Sequence, residues 1–391
     1  MNGVIGEKLM DVNTTVLERY SEGAKERQAD LCCPVDYDPA LLKALPKEIL
    51  ERDYGCGDPS RYVRPGDTVL DLGSGGGKIC YIAAQLVGPA GKIIGVDMND
   101  DMLALARKYQ AQMARTLGTD RMRFVKGHIE DLALDLESLE RHLAAKPVRN
   151  AVELSQLQDW QARQRRESPL IADASVDLVV SNCVLNLVRD EDKAQMLREI
   201  HRVLKPGGRV AISDIVSDET VPVNIRQNPE LWSGCIAGVF QEEEFLKAFT
   251  DAGFLAVALD KWDAQPWRVI DGIEFRSVTL TAVKGSGDPC LDYGHAVIYR
   301  GPFAEVRDDE GHVFPRGARI AVCERSYRLL TQGPYREQFI GISPAAAAEP
   351  RNFCLPSGTR RPASETKGCT FSSGAGCTTN AGCTTNSNSC C

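Results

Sequence analysis

Between Thr68 and Lys284 the chain alternates short apolar runs with longer stretches in which apolar residues recur every three or four positions. The runs read TVLDLG from Thr68, KIIGVD from Lys92, RFVKG from Arg123, VDLVVSN from Val176 and RVAISD from Arg209, followed by LAVALDKW from Leu255 and FRSVTLTAVK from Phe275. Strand-like runs separated by helical periods are the mark of βαβ units, so the pattern predicts an α/β domain on a mostly parallel sheet. The charged, Leu- and Ala-spaced stretch at residues 134–171 predicts an exposed helical insertion near the sheet edge. Gly285 to Pro289 (GSGDP) reads as a linker, and the alternating segment beyond it predicts a small β-rich domain with turns at Gly301-Pro302 and Asp308 to Gly311. The tandem AGCTTNAGCTTN near the end is too polar to bury a core, so a disordered Cys-rich tail is expected. The expected divisions are an N-terminal helical segment at 1–66, the main domain at 67–285, the β-rich domain at 286–345 and the tail at 346–391.

Composition narrows the chemistry. The chain has 391 residues, 43% of them hydrophobic, and a net charge of -8. That supports one large core plus an appendage, and it excludes the broad basic surface that nucleic acid requires. A small-molecule substrate is expected, and nothing in the pattern requires more than a monomer. No run reaches the roughly 18 to 20 apolar residues of a membrane span, and the first twenty residues carry acids where a secretory signal has its apolar core, so a cytoplasmic location without membrane partners is expected. Fourteen cysteines in such a chain point to thiol chemistry rather than a disulfide framework. Six fall within the first two thirds (Cys32, Cys33, Cys56, Cys80, Cys183, Cys235), three follow the linker (Cys290, Cys323, Cys354), and five crowd the tail. The five histidines are scattered, with no paired spacing of a zinc site, so no permanently bound metal is expected.

The first strand runs into DLGSGGGK, Asp71 to Lys78, ahead of a helix. Glycines at a strand-to-helix turn let backbone approach a ligand, yet the spacing fits neither a phosphate loop nor the strict dinucleotide motif. An acid ends the second strand at Asp97, beside Met98, where it would accept bonds from two ribose hydroxyls. After the third strand, Ile129 and Glu130 would flank a purine. With RVLKPGGRVAISD at Arg202 to Asp214, this order resembles the class I S-adenosylmethionine-dependent methyltransferases. The resemblance covers about Thr68 to Lys284 and implies a doubly wound, Rossmann-like sheet of seven strands. It assigns cofactor binding to Asp71, Gly73, Ser74, Gly75, Gly77, Asp97, Met98, Ile129, Glu130 and Asn182.

Ligands of such sheets sit beyond the carboxyl ends of the strands, so Asn182 and Cys183 in SNCVLNL should face the methyl donor. Base-amine methyltransferases carry an Asn/Asp-Pro-Pro-aromatic stretch there; a thiol instead suggests a soft acceptor atom. Two more cysteines follow glycine: Cys56 in YGCG and Cys235 in SGCIAG. These stretches, with DLCCPV at Asp30 to Val35, resemble the arsenite S-adenosylmethionine methyltransferases, and GIEFRSVTLTAVKG with the later YGHAVIYRG resembles the C-terminal part of bacterial members. The resemblance implies that Cys56, Cys183 and Cys235 carry trivalent arsenic, with Cys32 or Cys33 as a fourth thiol. It also implies reduction of the methylated arsenic by a pair such as Cys32 with Cys56, reset by a thiol reductant such as thioredoxin or glutathione, in a detoxification role. Cys80 is read as a small buried hydrophobe. The alternatives are a class I methyltransferase with another soft or small organic acceptor and a metalloid-sequestering protein without turnover.

Overall fold

The computed structural model describes residues 12–28, 35–344 and 349–366. The seven expected runs all form strands: β1 (Thr68–Leu72), β2 (Lys92–Asp97), β3 (Met122–Lys126), β4 (Val176–Asn182), β5 (Leu204–Ser217), β7 (Phe254–Trp262) and β9 (Ile273–Lys284). Two short strands, β6 (Phe240–Gln241) and β8 (Arg268–Ile270), pair with β5 and β9. The order along the sheet is β3-β2-β1-β4-β5-β9-β7. Strands β1 to β5 run parallel, while β9 lies antiparallel to both β5 and β7. The chain steps outward from β1 to β3 and then returns to the other side of β1, so the switch point lies between β1 and β4, where a crevice opens at the carboxyl ends.

Alternation along each strand serves two cores. Leu70 and Leu72 of β1 join one cluster with Val179, Ile212 and Val278, while Val69 turns to the other face with Leu178, Val180, Ile82 and Leu103. Both faces are covered, as a parallel sheet requires. The excursion at residues 134–171 consists of two helices, Leu136–Ala145 and Ala151–Glu167, neither with a buried side chain. The main chain closes beneath them, Leu170 and Ile171 donating to the carbonyls of Ala133 and Leu132 at 3.1 and 2.9 Å. This crossover can therefore carry extra helices without disturbing the sheet.

The chain divides into two compact units, 1–285 and 286–391. The second holds a three-stranded antiparallel sheet formed by Ala296–Tyr299, Arg319–Ala321 and Phe339–Ile342, with a helix at Glu324–Gln332 over a core of Val297, Tyr299, Phe314 and Leu330. The expectation of disorder from residue 346 onward fails for residues 349–366. Arg351–Asn352 pairs with Leu291–Asp292, Phe353 is buried, and Arg361 lies in the interior. Composition hid this because a few specific contacts do the anchoring, among them a buried ion pair: Arg361 Nη2 bonds Asp292 Oδ1 at 2.8 Å, both side chains about 5% exposed. The rest of the expected tail, with its five cysteines, lies outside the described residues.

Removing one partner of a buried pair strands the other charge, at a cost of about 3–5 kcal/mol. Arg361→Met should accordingly destabilise residues 291–361 by that amount while leaving 68–284 unchanged, as read by hydrogen exchange followed peptide by peptide. Equal protection in wild type and variant would show that the pair anchors nothing.

Candidate active site

β1 ends at Leu72 and the chain turns through Gly73 to Gly77 before the helix Lys78–Leu86. Gly73, Gly75 and Gly77 have φ of 63°, 50° and 87°, left-handed values that disfavour a side chain. The turn is tied to the neighbouring strand end: Gly75 N–H donates to Asp97 Oδ2 at 2.8 Å and Asn99 N–H to Asp97 Oδ1 at 2.9 Å. A cavity opens over this turn, lined by Asp71, Gly73, Ser74, Gly75, Asp97, Met98, Ile129, Glu130, Asn182 and Cys183 among others. Of the ten expected cofactor residues, only Gly77 is outside this lining; it forms the amino-terminal cap of the helix, packed beside Phe124.

Burial dominates the electrostatics. It pushes the carboxyl of Asp71 up to about 7, with the Cys80 thiol, which donates to Asp71 Oδ2 at 3.2 Å, opposing the shift. It raises Asp97 as well, against the pull of its backbone donors. Cys80 thus does more than fill space: it satisfies a buried carboxylate. Ser74 Oγ, also buried, finds no hydrogen-bond partner among the described residues. Its Oγ packs over Gly95 of β2, close enough to exclude a side chain there.

The thiols meet at the carboxyl ends of β4 and β5. Asn182, the last residue of β4, accepts from the N–H groups of Cys56 and Gly57 at 2.9 and 3.0 Å, and its amide donates to Gly57 O at 2.8 Å and Tyr37 Oη at 3.2 Å. A Cβ on Gly55 would come within 2.1 Å of that amide, which is why the loop needs glycine there. Ser277 of β9 holds the same loop from the far side, donating to Cys56 O at 2.6 Å. Cys56 and Cys183 are joined as a disulfide, with their Cα atoms 5.9 Å apart. Cys235 reaches the same cluster, its Sγ donating to Cys183 O at 3.1 Å. Cys183 and Cys235 have φ of 58° and 60°; non-glycine residues hold such values at a cost of about 1–3 kcal/mol each, typically at functional sites.

The remaining expected residues are placed as follows. Asn182 borders the cavity, yet its amide is spent on the Cys56 loop. Cys56 is bonded to Cys183, not to Cys32. Cys32 and Cys33 lie outside the described residues. Sequence reasoning also missed several groups. Asp214 stands with Cys56 and Cys183, the three ligand atoms within 4.8 Å of one another. Its carboxylate accepts from Leu185 N, Asn186 Nδ2 and Ile215 N, and burial lifts it to about 7. Lys78 and Asp53, paired at 2.6 Å, line the cavity. The helix Val12–Lys25 closes one wall with Asn13, Val16, Leu17 and Tyr20. Lys78 stood in the quoted glycine turn and Asp214 at the end of RVLKPGGRVAISD, but Asp53 and the helix Val12–Lys25 carried no motif.

A methyltransferase-domain family matches residues 64–144 and 153–253, and a domain family of unknown function matches residues 286–371. The arsenite methyltransferase of Aquipseudomonas alcaligenes is 33% identical over 340 residues, covering 82% of this chain and 87% of that protein. The arsenite methyltransferase of Homo sapiens is 29% identical over 315 residues, covering 76% of this chain and 73% of its own. Among solved structures, the arsenic (III) S-adenosylmethionine methyltransferase from Chlamydomonas reinhardtii superposes with a TM-score of 0.54 at 28% identity, covering 81% of this chain and 99% of that one. Similarity over four fifths of the length, at 33% identity to one arsenite methyltransferase and 28% to the solved arsenic (III) enzyme, establishes that the chain belongs to the arsenite methyltransferase family.

Proposed function

We propose that this enzyme methylates trivalent arsenic held by the thiolates of Cys56, Cys183 and Cys235, in a detoxification role. The observation that carries the reading is the convergence of three cysteines, from residues 56, 183 and 235, in one buried cluster whose Cys183 borders the cavity lined by Asp71, Asp97 and the glycine turn.

Asp97, Met98, Ile129 and the 73–76 turn would hold the adenosyl portion. When bound, S-adenosylmethionine supplies an electrophilic methyl group, which the lone pair of pyramidal arsenic accepts without any proton leaving the arsenic. The residues of the chain bind and orient. Arsenous acid and three thiols condense to a tris-thiolate with loss of three waters, which fixes the lone pair away from the sulfurs. Asn182 and Ser277 hold the Cys56 loop, and Asp214 holds the turn after Cys183, so the three sulfurs come to the arsenic from a prepared frame. Fixing both reactants in this way supplies on the order of 7–11 kcal/mol.

Transfer leaves arsenic formally pentavalent. Two of its thiolates then leave as a disulfide, returning two electrons to arsenic, while the third keeps the methylated atom on the enzyme. The bond between Cys56 and Cys183 supports assigning them as that pair, with Cys235 retaining arsenic. An external thiol system such as thioredoxin or glutathione supplies the two electrons and two protons that reopen the disulfide. No helix among the described residues is long and apolar enough to cross a membrane.

Cys183→Ser and Cys235→Ser should each abolish arsenite-dependent formation of S-adenosylhomocysteine while changing S-adenosylmethionine affinity less than about threefold. Full turnover in either variant rejects the thiolate assignment; stoichiometric arsenite binding by the wild type without turnover would make it a sequestering protein. Asn182→Leu leaves the N–H groups of Cys56 and Gly57 without their acceptor, a loss of about 2–3 kcal/mol. Its kcat/KM for arsenite should therefore fall about 30- to 150-fold with little change in cofactor affinity. A rise confined to the KM for S-adenosylmethionine would instead make Asn182 a cofactor contact.

A further inference from the structure

The helix Val12–Lys25 forms a wall of the cofactor cavity, and it is bonded at both ends of that cavity. On the cofactor side, Asn99, which follows Asp97 and caps the next helix, donates through Nδ2 to Leu17 O and to Ser21 Oγ, both at 3.0 Å. On the thiol side, Arg19 Nη1 donates to Glu230 O and to Ser233 Oγ, both at 2.9 Å, on the helical turn that leads into Cys235. Between these two anchors stands Tyr20, its hydroxyl 3.7 Å from Cys235 Sγ. Its ring is packed against Val16, Trp232 and Ala237 on one side and against Ala24, Tyr54 and Met102 on the other.

We infer that Tyr20 is a positioning residue for Cys235 as an arsenic ligand, and that through it the helix Val12–Lys25 couples occupancy of the cofactor cavity to arsenic binding. This inference rests on the thiolate reading proposed above. In the free protein the Cys235 S–H donates to Cys183 O at 3.1 Å, which leaves the sulfur lone pairs to accept from the Tyr20 O–H. When the thiol condenses with arsenous acid, its proton departs in water, the bond to Cys183 O is lost, and the sulfur gains negative character. The Tyr20 bond is then a polar contact that persists, strengthened by charge. A ligand that fixes Asp97 and Asn99 stiffens the same helix from its other anchor and so favours the bonded arrangement at Cys235.

Tyr20→Phe keeps the ring and deletes the donor. The expected result is an arsenite KM raised about tenfold, with kcat and S-adenosylhomocysteine affinity within about twofold of wild type. Arsenic X-ray absorption of the full chain should show three sulfur neighbours in wild type and a lower average count in the variant at the same arsenite concentration. The coupling has its own signature: saturating S-adenosylhomocysteine should tighten arsenite binding several-fold in wild type, read by quenching of Trp232 fluorescence relative to Trp232→Phe, and have no effect in the variant. An unchanged KM and sulfur count in Tyr20→Phe would overturn the positioning role. Equal coupling in both proteins would overturn the linkage. Hydrogen exchange over residues 12–25 guards the comparison, and if Tyr20→Phe loosens the helix, Arg19→Gln, which also weakens docking but keeps Tyr20, supplies the reference: the inference stands only if Tyr20→Phe loses sulfur coordination beyond that seen in Arg19→Gln. Should Cys235→Ser abolish turnover while Tyr20→Phe leaves every value unchanged, this inference alone fails; should Cys235→Ser remain fully active, the thiolate reading fails with it.

Discussion

One carboxamide ties this active site to its sheet. Asn182 closes β4 beside β1, and its side chain both accepts from and donates to the backbone of residues 56 and 57. The loop that carries Cys56 precedes the first strand and has no regular structure of its own. Without a partner at the strand end, the N–H groups of Cys56 and Gly57 would stand unpaired, a loss of about 1–3 kcal/mol for each, while Gly57 O would keep its bond from the Tyr37 hydroxyl. Everything that follows, from the approach of Cys56 to Cys183 to the closure of the cavity rim, depends on that loop being held at a fixed height above the sheet.

The thiols themselves are held under strain. Cys183 and Cys235 occupy left-handed backbone that glycine would adopt freely, yet glycine offers no sulfur. The structure offsets the strain with hydrogen bonds to the turns on either side. Cys183 N–H donates to Ser213 O, and Asp214 gathers Leu185 and Asn186. Asp214 and Asp71 are both fully buried acids lifted toward neutrality by desolvation. A protein that merely needed a stable core would place apolar residues there. Two raised carboxyls at the strand ends mark the region where the fold spends stability on chemistry.

Elsewhere the molecule is conservative. The crossover after β3 accommodates two solvent-facing helices because its main chain returns to the residues it left, and the second unit keeps its own core and its own buried ion pair. Neither helix of the crossover lines the cavity over the glycine turn, although its first residues, Ile129 and Glu130, do.

The sheet was legible in the sequence because periodicity is a local property: apolar runs with period two between helical stretches leave few other ways to bury both faces. Seven strands follow from that rhythm, while β6 and β8, with two and three residues, leave no rhythm to read. The glycine turn and the acid at Asp97 were legible for the same reason, each lying within a few residues of the strand that positions it. Cys56, Cys183 and Cys235 stood out as motifs, and their meeting was expected only through the family resemblance, since it joins positions 127 residues apart across one disulfide and draws in Cys235 through a carbonyl. Tyr20 and Asp53 bear no local mark, and Ser277 and Asp214 lie in motifs that say nothing of what they hold. Their roles come from what a folded backbone places opposite them, and a one-dimensional pattern records neighbours along the chain rather than neighbours across a cavity. The order of residues determined a parallel sheet with a ligand turn at its edge; which thiols join, which acids lose water and which helix closes the wall were decided only by the tertiary contacts, because those energies arise between groups brought together by folding.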